Sequence, residues 1–272
     1  MNDAEKIQSL LELLDSDNEQ SAGYIMAELL QSARPDLVNQ MLCDLQETPN
    51  RKLRKRIHQL QSAIGARYLR YMLGQSLRDG SIPLLDGAIR LHLCWFDNDT
   101  FDNVAVQWNE LCSAFMDAAP GDLREFAAFM VAQNFRCTDG RDDLEPESYC
   151  IGCVLDHMPG SDLMLSLIVS QLTAYSEEPL QIVRRGLDFA VRDVDGNLLL
   201  PGEYWRVIPG DDYTRSLPEV YDASVLRMIA AMLFQAAVSS DGFRYMYTIG
   251  TALAAALGKD DLKFLPYPYN NR

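Results

Sequence analysis

Residues 160–192 read GSDLMLSLIVSQLTAYSEEPLQIVRRGLDFAVR, and the reading of this stretch decides the fold. Leu163, Leu167, Ile168 and Leu172 recur at helical intervals. Ser161 and Asp162 stand just before them, where a helix needs oxygen acceptors for its first free N–H groups. The opening third is therefore a buried helix. Glu177-Glu178-Pro179 ends that pattern. Residues 181–185 and 187–192 alternate or run β-branched and predict two strands, and Asp195-Gly196-Asn197 supplies a turn that can close a hairpin.

Downstream, Leu198-Leu199-Leu200 and residues 204–208 predict two further strands, separated by Pro201-Gly202. Residues 222–258 predict two helices broken at Ser239-Ser240-Asp241-Gly242. Ala230, Ala231, Ala236, Ala252 and Ala255 fall where those helices would press together, as a tetratricopeptide-like hairpin requires. The tail, 264–272 with Pro266 and Pro268, is expected to be extended.

Upstream, Ile7, Leu10, Leu11 and Leu14 form an apolar stripe that breaks at Asp15-Ser16-Asp17-Asn18. A second amphipathic segment follows over 24–30. A third begins near Pro35 and carries Leu37, Val38, Met41, Leu42 and Leu45, and Thr48-Pro49-Asn50 opens a fourth. Short paired helices with such breaks suggest a HEAT-like region. Helical character continues over 66–135, past the acidic loop Asp97-Asn98-Asp99-Thr100 to helices bearing Val104, Trp108, Leu111 and Phe115, then Leu123, Phe126, Phe129 and Met130. Residues 137–147 are turn-rich. The expected fold is α+β and mostly helical, with a small antiparallel sheet over about 180–208 packed on the central helix. Its expected regions are 1–78 (HEAT-like), 79–215 (core) and 216–272 (helical hairpin).

Composition narrows the function classes. The chain has 272 residues, 48% of them hydrophobic and 23% charged, which is ordinary globular material. A net charge of −15 repels nucleic acid and anionic membranes, so neither is an expected partner. Met1-Asn2-Asp3-Ala4-Glu5 is acidic where a secretory signal would be basic. Residues 225–238, the longest apolar run, are interrupted by Arg227 and Gln235 and fall short of the roughly 20 residues of a membrane span. Six cysteines in a chain of this length do not read as a disulfide framework. A reduced, cytoplasmic protein is expected.

Several patterns invite chemistry. Cys150-x-x-Cys153 with His157 would share one helix face at i, i+3 and i+7, and Cys137 would complete a Cys3His zinc set. A lone C-x-x-C is more economically read as two small buried hydrophobes, so no metal or cofactor is expected. The basic run Arg51-Lys52-Leu53-Arg54-Lys55-Arg56 reads as a solvated helix face pairing with carboxylates. Asp193-x-Asp195-Gly196-Asn197 is a hairpin turn rather than a calcium loop, lacking the distal glutamate. His58, His92 and His157 are scattered, and no phosphate loop or nucleophile elbow is present. Tyr149, Tyr175, Phe189, Tyr204 and Trp205 either line a pocket or belong to the core.

The order of elements resembles the bacterial SirB-type proteins, which carry a transglutaminase-like core and a tetratricopeptide-like C-terminal hairpin. The likeness rests on Leu84-Leu85-Asp86-Gly87-Ala88, Asn134-Phe135-Arg136, Glu147-Ser148-Tyr149, Val154-Leu155-Asp156 and the whole of 160–192, ending in Phe189-Ala190-Val191-Arg192. It covers the chain from about residue 80 onward. A working transglutaminase-like or papain-like site uses a cysteine at a helix N-terminus, a histidine on a neighbouring strand and an Asp or Asn orienting it, and the resemblance implies that the cysteine is already replaced, usually by a small hydroxyl residue. This chain departs at each place. Met164 stands near the helix position, with Ser166 the only hydroxyl close by. Leu187-Asp188-Phe189 replaces a Gly-His-Phe, and Leu199-Leu200-Pro201 offers no third polar group. The expectation is a degenerate core whose vacated groove includes Met164, Ser166, Asp188 and Trp205, with no catalytic residue. The function expected is a non-catalytic cytoplasmic interaction or scaffold protein with a protein partner. The alternatives are a cysteine-dependent transglutaminase- or protease-class enzyme using Cys150 or Cys153 with His157, and a small-molecule-binding module in the groove.

Overall fold

A computed structural model describes residues 3–30, 35–96, 98–138 and 145–259. Asp97 of the acidic loop, 139–144 of the turn-rich stretch and the tail over 264–272 lie outside the described residues. The chain divides into two compact units, Met1–Met72 and Leu73–Gly258. The regions read as 79–215 and 216–272 share the second unit as far as residue 258.

The first unit contains α1 (Asp3–Leu13), α2 (Glu19–Leu30), α3 (Pro35–Asp44) and the start of α4 (Arg51–Asp79). Its core is built from Ile7, Leu11, Leu14, Leu29, Val38, Leu42, Leu53, Ile57 and Leu60. Asn50 caps α4, its side-chain oxygen accepting from the N–H groups of Lys52 and Leu53. The basic run is not a solvated face throughout. Lys52 pairs with Asp17 at the surface, but Arg56 is buried. Its guanidinium donates to the carbonyls of Leu14 and Ser16 and to Glu19. The reason is periodicity: on α4 position 56 shares the inner face with Leu53, Ile57 and Leu60, and the chain leaving α1 presents carbonyls with no helical partner.

The second unit holds α5 (Leu84–Trp95), α6 (Phe101–Ala118), α7 (Leu123–Ala132), α8 (Ile151–Leu155) and α9 (Asp162–Leu172). Strands β1 (Gln181–Arg185), β2 (Asp188–Arg192), β3 (Leu198–Leu200) and β4 (Arg206–Ile208) follow, then α10 (Asp212–Ser216), α11 (Asp222–Ser239) and α12 (Phe243–Ala256). The fold is α+β and mostly helical. Its four strands form an antiparallel sheet in the order β1-β2-β3-β4, with β2 packed on α9.

Helix α9 is buried on every side from Leu163 to Val169, so it shows no polar stripe. The sheet is covered on both faces. Ile182, Val191 and Leu199, aligned across neighbouring strands, face the main core, whereas Val183, Ala190, Leu198 and Leu200 pack with Leu217 on the other side. That explains why β3 is a continuous apolar triplet rather than an alternating one. The outer edge of β1 is closed by the chain at 218–220, where Arg184 N–H donates to the Pro218 carbonyl and Val220 N–H to that of Ile182.

Among the described residues one helix, α11, is long and apolar enough to cross a membrane by length and composition. It carries Asp222 and Arg227, and Arg227 donates to the Leu77 carbonyl. Its apolar face, including Val225, Leu226, Ile229 and Leu233, is buried against α5 and α12. Gly87 on α5 lets α11 come close, since a Cβ there would lie 2.4 Å from Leu226.

Replacing Arg56 by Met keeps the aliphatic stem but strips the Leu14 and Ser16 carbonyls of their donor. Urea denaturation should show a loss of about 2–3 kcal/mol, against about 0.5 kcal/mol or less for Lys52→Met at the exposed pair.

Candidate functional site

The first turn of α9 is closed by its own side chains. Ser161 Oγ accepts from Met164 N–H at 3.1 Å. Asp162 accepts from Leu163 N–H at 2.7 Å and, through its other oxygen, from Phe189 N–H at 2.8 Å. One carboxylate thereby caps the helix and fixes the start of β2 against it. Facing this turn, residues 136–138 run beside Gly160: Thr138 N–H donates to the Gly160 carbonyl, and Gly160 N–H to that of Arg136.

The third wall is a strained corner. After the 3-10 turn Pro201–Glu203, Tyr204 and Trp205 both take left-handed backbone conformations, φ 55° and 60°. Two consecutive bulky residues there cost about 1–2 kcal/mol each. Two sets of contacts hold the corner. Glu203 pairs with Arg185 and Arg206, and the Trp205 indole N–H donates to the Phe135 carbonyl at 2.9 Å in a buried site. The result is a Trp205 that is 5% exposed beside a Tyr204 that is 89% exposed.

These walls, with α11, enclose a groove of about 1110 Å³. Asp188 and Trp205, both expected at such a site, line it. Met164 and Ser166 do not. Both are fully buried within α9, and Ser166 Oγ has no hydrogen-bond partner among the described residues. Of the five aromatics considered from sequence, Tyr149, Phe189, Tyr204 and Trp205 line the groove, while Tyr175 stands fully exposed elsewhere. Burial, then Asp162 and Cys137 nearby, push the Tyr149 phenol above its ordinary pKa. Sequence reasoning missed the Asp162 bridge to β2, Arg136 and Arg184 on the walls, and Met228 and Met232 from α11. A Ser-Asp cap was visible, but nothing local showed what else the carboxylate would hold.

The cysteine pattern takes a different shape from the expected helix face. Helix α8 ends at Leu155, and His157 lies beyond it in the left-handed region at φ 64°, exposed, with its ring against Phe135. Cys150 is the buried N-cap, Cys153 sits within the helix, and Cys137 belongs to the groove wall. No group of three or more metal-ligating side chains occurs among the described residues. Burial raises the Cys150 thiol well above its ordinary pKa and lifts Cys153 to about 11. An activated nucleophile needs the opposite shift.

One titratable contact had no sequence signal. His92 on α5 is buried, its Nε2 lies 3.0 Å from Asp99, and its Nδ1 has no partner among the described residues. Gly152 makes room for the ring: a Cβ there would lie 2.7 Å from it. Burial lowers the His92 pKa below 6.5, outweighing the opposing pull of Asp99 and Asp156.

No family model, curated protein or solved structure matches this chain.

Two outcomes follow from this geometry. Tyr204→Gly removes left-handed strain and almost no buried surface, so stability should hold or rise by up to about 1 kcal/mol. Trp205→Ala should cost about 3–5 kcal/mol. A comparable loss in Tyr204→Gly would mean that the phenol ring packs. For His92, the unfolded chain takes a proton at pH 6.5 and below while the folded site resists it. Stability must therefore fall as pH drops through that value and level off below the folded pKa. Denaturation at about pH 7.5, 6.5 and 5.5 should show that slope in the wild type and a shallower one in His92→Gln.

Proposed function

We propose that the chain is a cytoplasmic, non-catalytic protein-interaction module, a divergent SirB-type protein whose transglutaminase-like core serves as a docking groove. One observation carries this reading. The helix N-terminus where an acyl-transfer nucleophile would stand is closed by Ser161 and Asp162, while the groove beside it is open and rimmed by Tyr204 and Leu187. Acyl transfer on this plan needs a thiol or hydroxyl with an adjacent base. Asp188 on the strand is no substitute for imidazole near neutral pH. The raised thiols of Cys112, Cys150 and Cys153 weigh against a relocated cysteine nucleophile.

The groove's volume of about 1110 Å³ lies at the upper end of small-molecule clefts, roughly 300 to 1,000 Å³, so its rim rather than its size favours a polypeptide. Exposed apolar side chains gathered at one rim are the usual mark of a protein contact.

Affinity purification from the native host should compare the wild type with Leu187→Glu and Tyr204→Gly, each checked for a native melting transition. The expected result is a partner recovered with the wild type and lost with both variants. A partner kept by both variants would move the interaction off the groove. Rapid alkylation of a single cysteine near neutral pH would instead favour an enzyme.

A further inference from the structure

Resting on that reading of the groove as a docking site, we propose that its occupant is an extended partner segment that interleaves apolar side chains with carboxylates. Positive charge is left over at the groove. Among the described residues four charged side chains line the groove: Asp162, Asp188, Arg136 and Arg184. Asp162 sits at a helix N-terminus with one backbone N–H on each of its oxygens. Asp188 stands opposite Arg185 across the β1–β2 hairpin and acts on its charge. Both carboxylates thus have partners within the fold.

The two guanidiniums have no carboxylate partner among the described residues. Arg136 is exposed and makes no ion pair among the described residues. The Arg184 guanidinium donates, among the described residues, only to the neutral carbonyl of Gly186, closing its own turn. A planar guanidinium binds a carboxylate through paired, charge-assisted hydrogen bonds, which neither a lysine nor a neutral amide on the partner would supply.

The rim adds the apolar half of the requirement. Val131 is 59% exposed, Leu187 71% and Tyr204 89%, and half-buried Met228 and Met232 line the same groove. Methionine adapts to apolar side chains of varied shape. The overall charge of −15 opposes an acidic partner at long range, but at physiological salt that repulsion is screened beyond about 8 Å. Within the groove the nearby guanidiniums decide.

The test uses the full chain and two short fluorescein-labelled peptides, followed by fluorescence anisotropy. One alternates Glu with Phe and Leu, and the other carries Lys at every Glu position. The acidic peptide should bind the wild type. Arg136→Glu and Arg184→Glu should each weaken it by about tenfold, the scale of one charge-assisted contact. Tyr204→Gly should weaken it without changing which peptide is preferred. If a charge-reversed variant melts abnormally, Arg136→Met and Arg184→Met take its place, with a smaller loss expected. Equal or tighter binding of the Lys peptide would overturn the proposal. So would acidic-peptide binding that survives every arginine variant, or no acidic-peptide binding to folded wild type. If a groove-dependent partner is purified while the acidic peptide fails, this inference falls and the docking reading stands. If purification finds no groove-dependent partner either, both fall.

Discussion

The carboxylate of Asp162 is the point on which the second unit turns. One oxygen takes an N–H from the first turn of α9, and the other takes the N–H of Phe189, the second residue of the strand that packs along it. At the other end of the helix, Thr173 accepts from Leu180 N–H just before β1, so a helix buried along its length is tied to the sheet by polar contacts at both ends. Apolar packing alone fixes depth well and register poorly. The Asp162 bridge sets where β2 begins, and the antiparallel ladder then sets β1, β3 and β4 in turn. It also shapes the groove, because Asp162, Asp188 and Phe189 are among its lining.

The same contacts bear on the electrostatics of the helix N-terminus. A helix N-terminus promotes thiolate chemistry when its N–H groups and partial positive charge remain available to an anion. Here a fixed carboxylate and a serine hydroxyl already take up those groups. The apolar packing around Cys150 disfavours a thiolate as well. Burial and capping here are ordinary means of stabilising a fold.

Much of the architecture was legible because its signals are local. The α9 periodicity with its Ser161 cap, the alternation in β1 and β2 and the turn at Asp195-Gly196-Asn197 each depend on a few neighbouring residues. The site was legible only in part. Asp188 and four aromatics, Trp205 among them, reached the groove, whereas Met164 and Ser166, chosen by position along α9, point into a core that surrounds the helix. Arg56 and His157 show two further limits. A basic run does not reveal which of its members faces inward, and an i, i+7 spacing means nothing once the helix stops at Leu155. The His92–Asp99 contact and the Tyr204–Trp205 corner arise from tertiary closure, which no window of sequence contains.

The strap over β1 bears on how the chain folds as it is made. Residues 181–208 hold everything the four-stranded meander needs, so its ladders can form early from short-range contacts. The outer edge of β1, however, is closed only by residues 218–220. During synthesis that strand edge therefore stays unpaired until Pro218 and Val220 leave the ribosome, and in that interval it is open to pairing with another nascent chain.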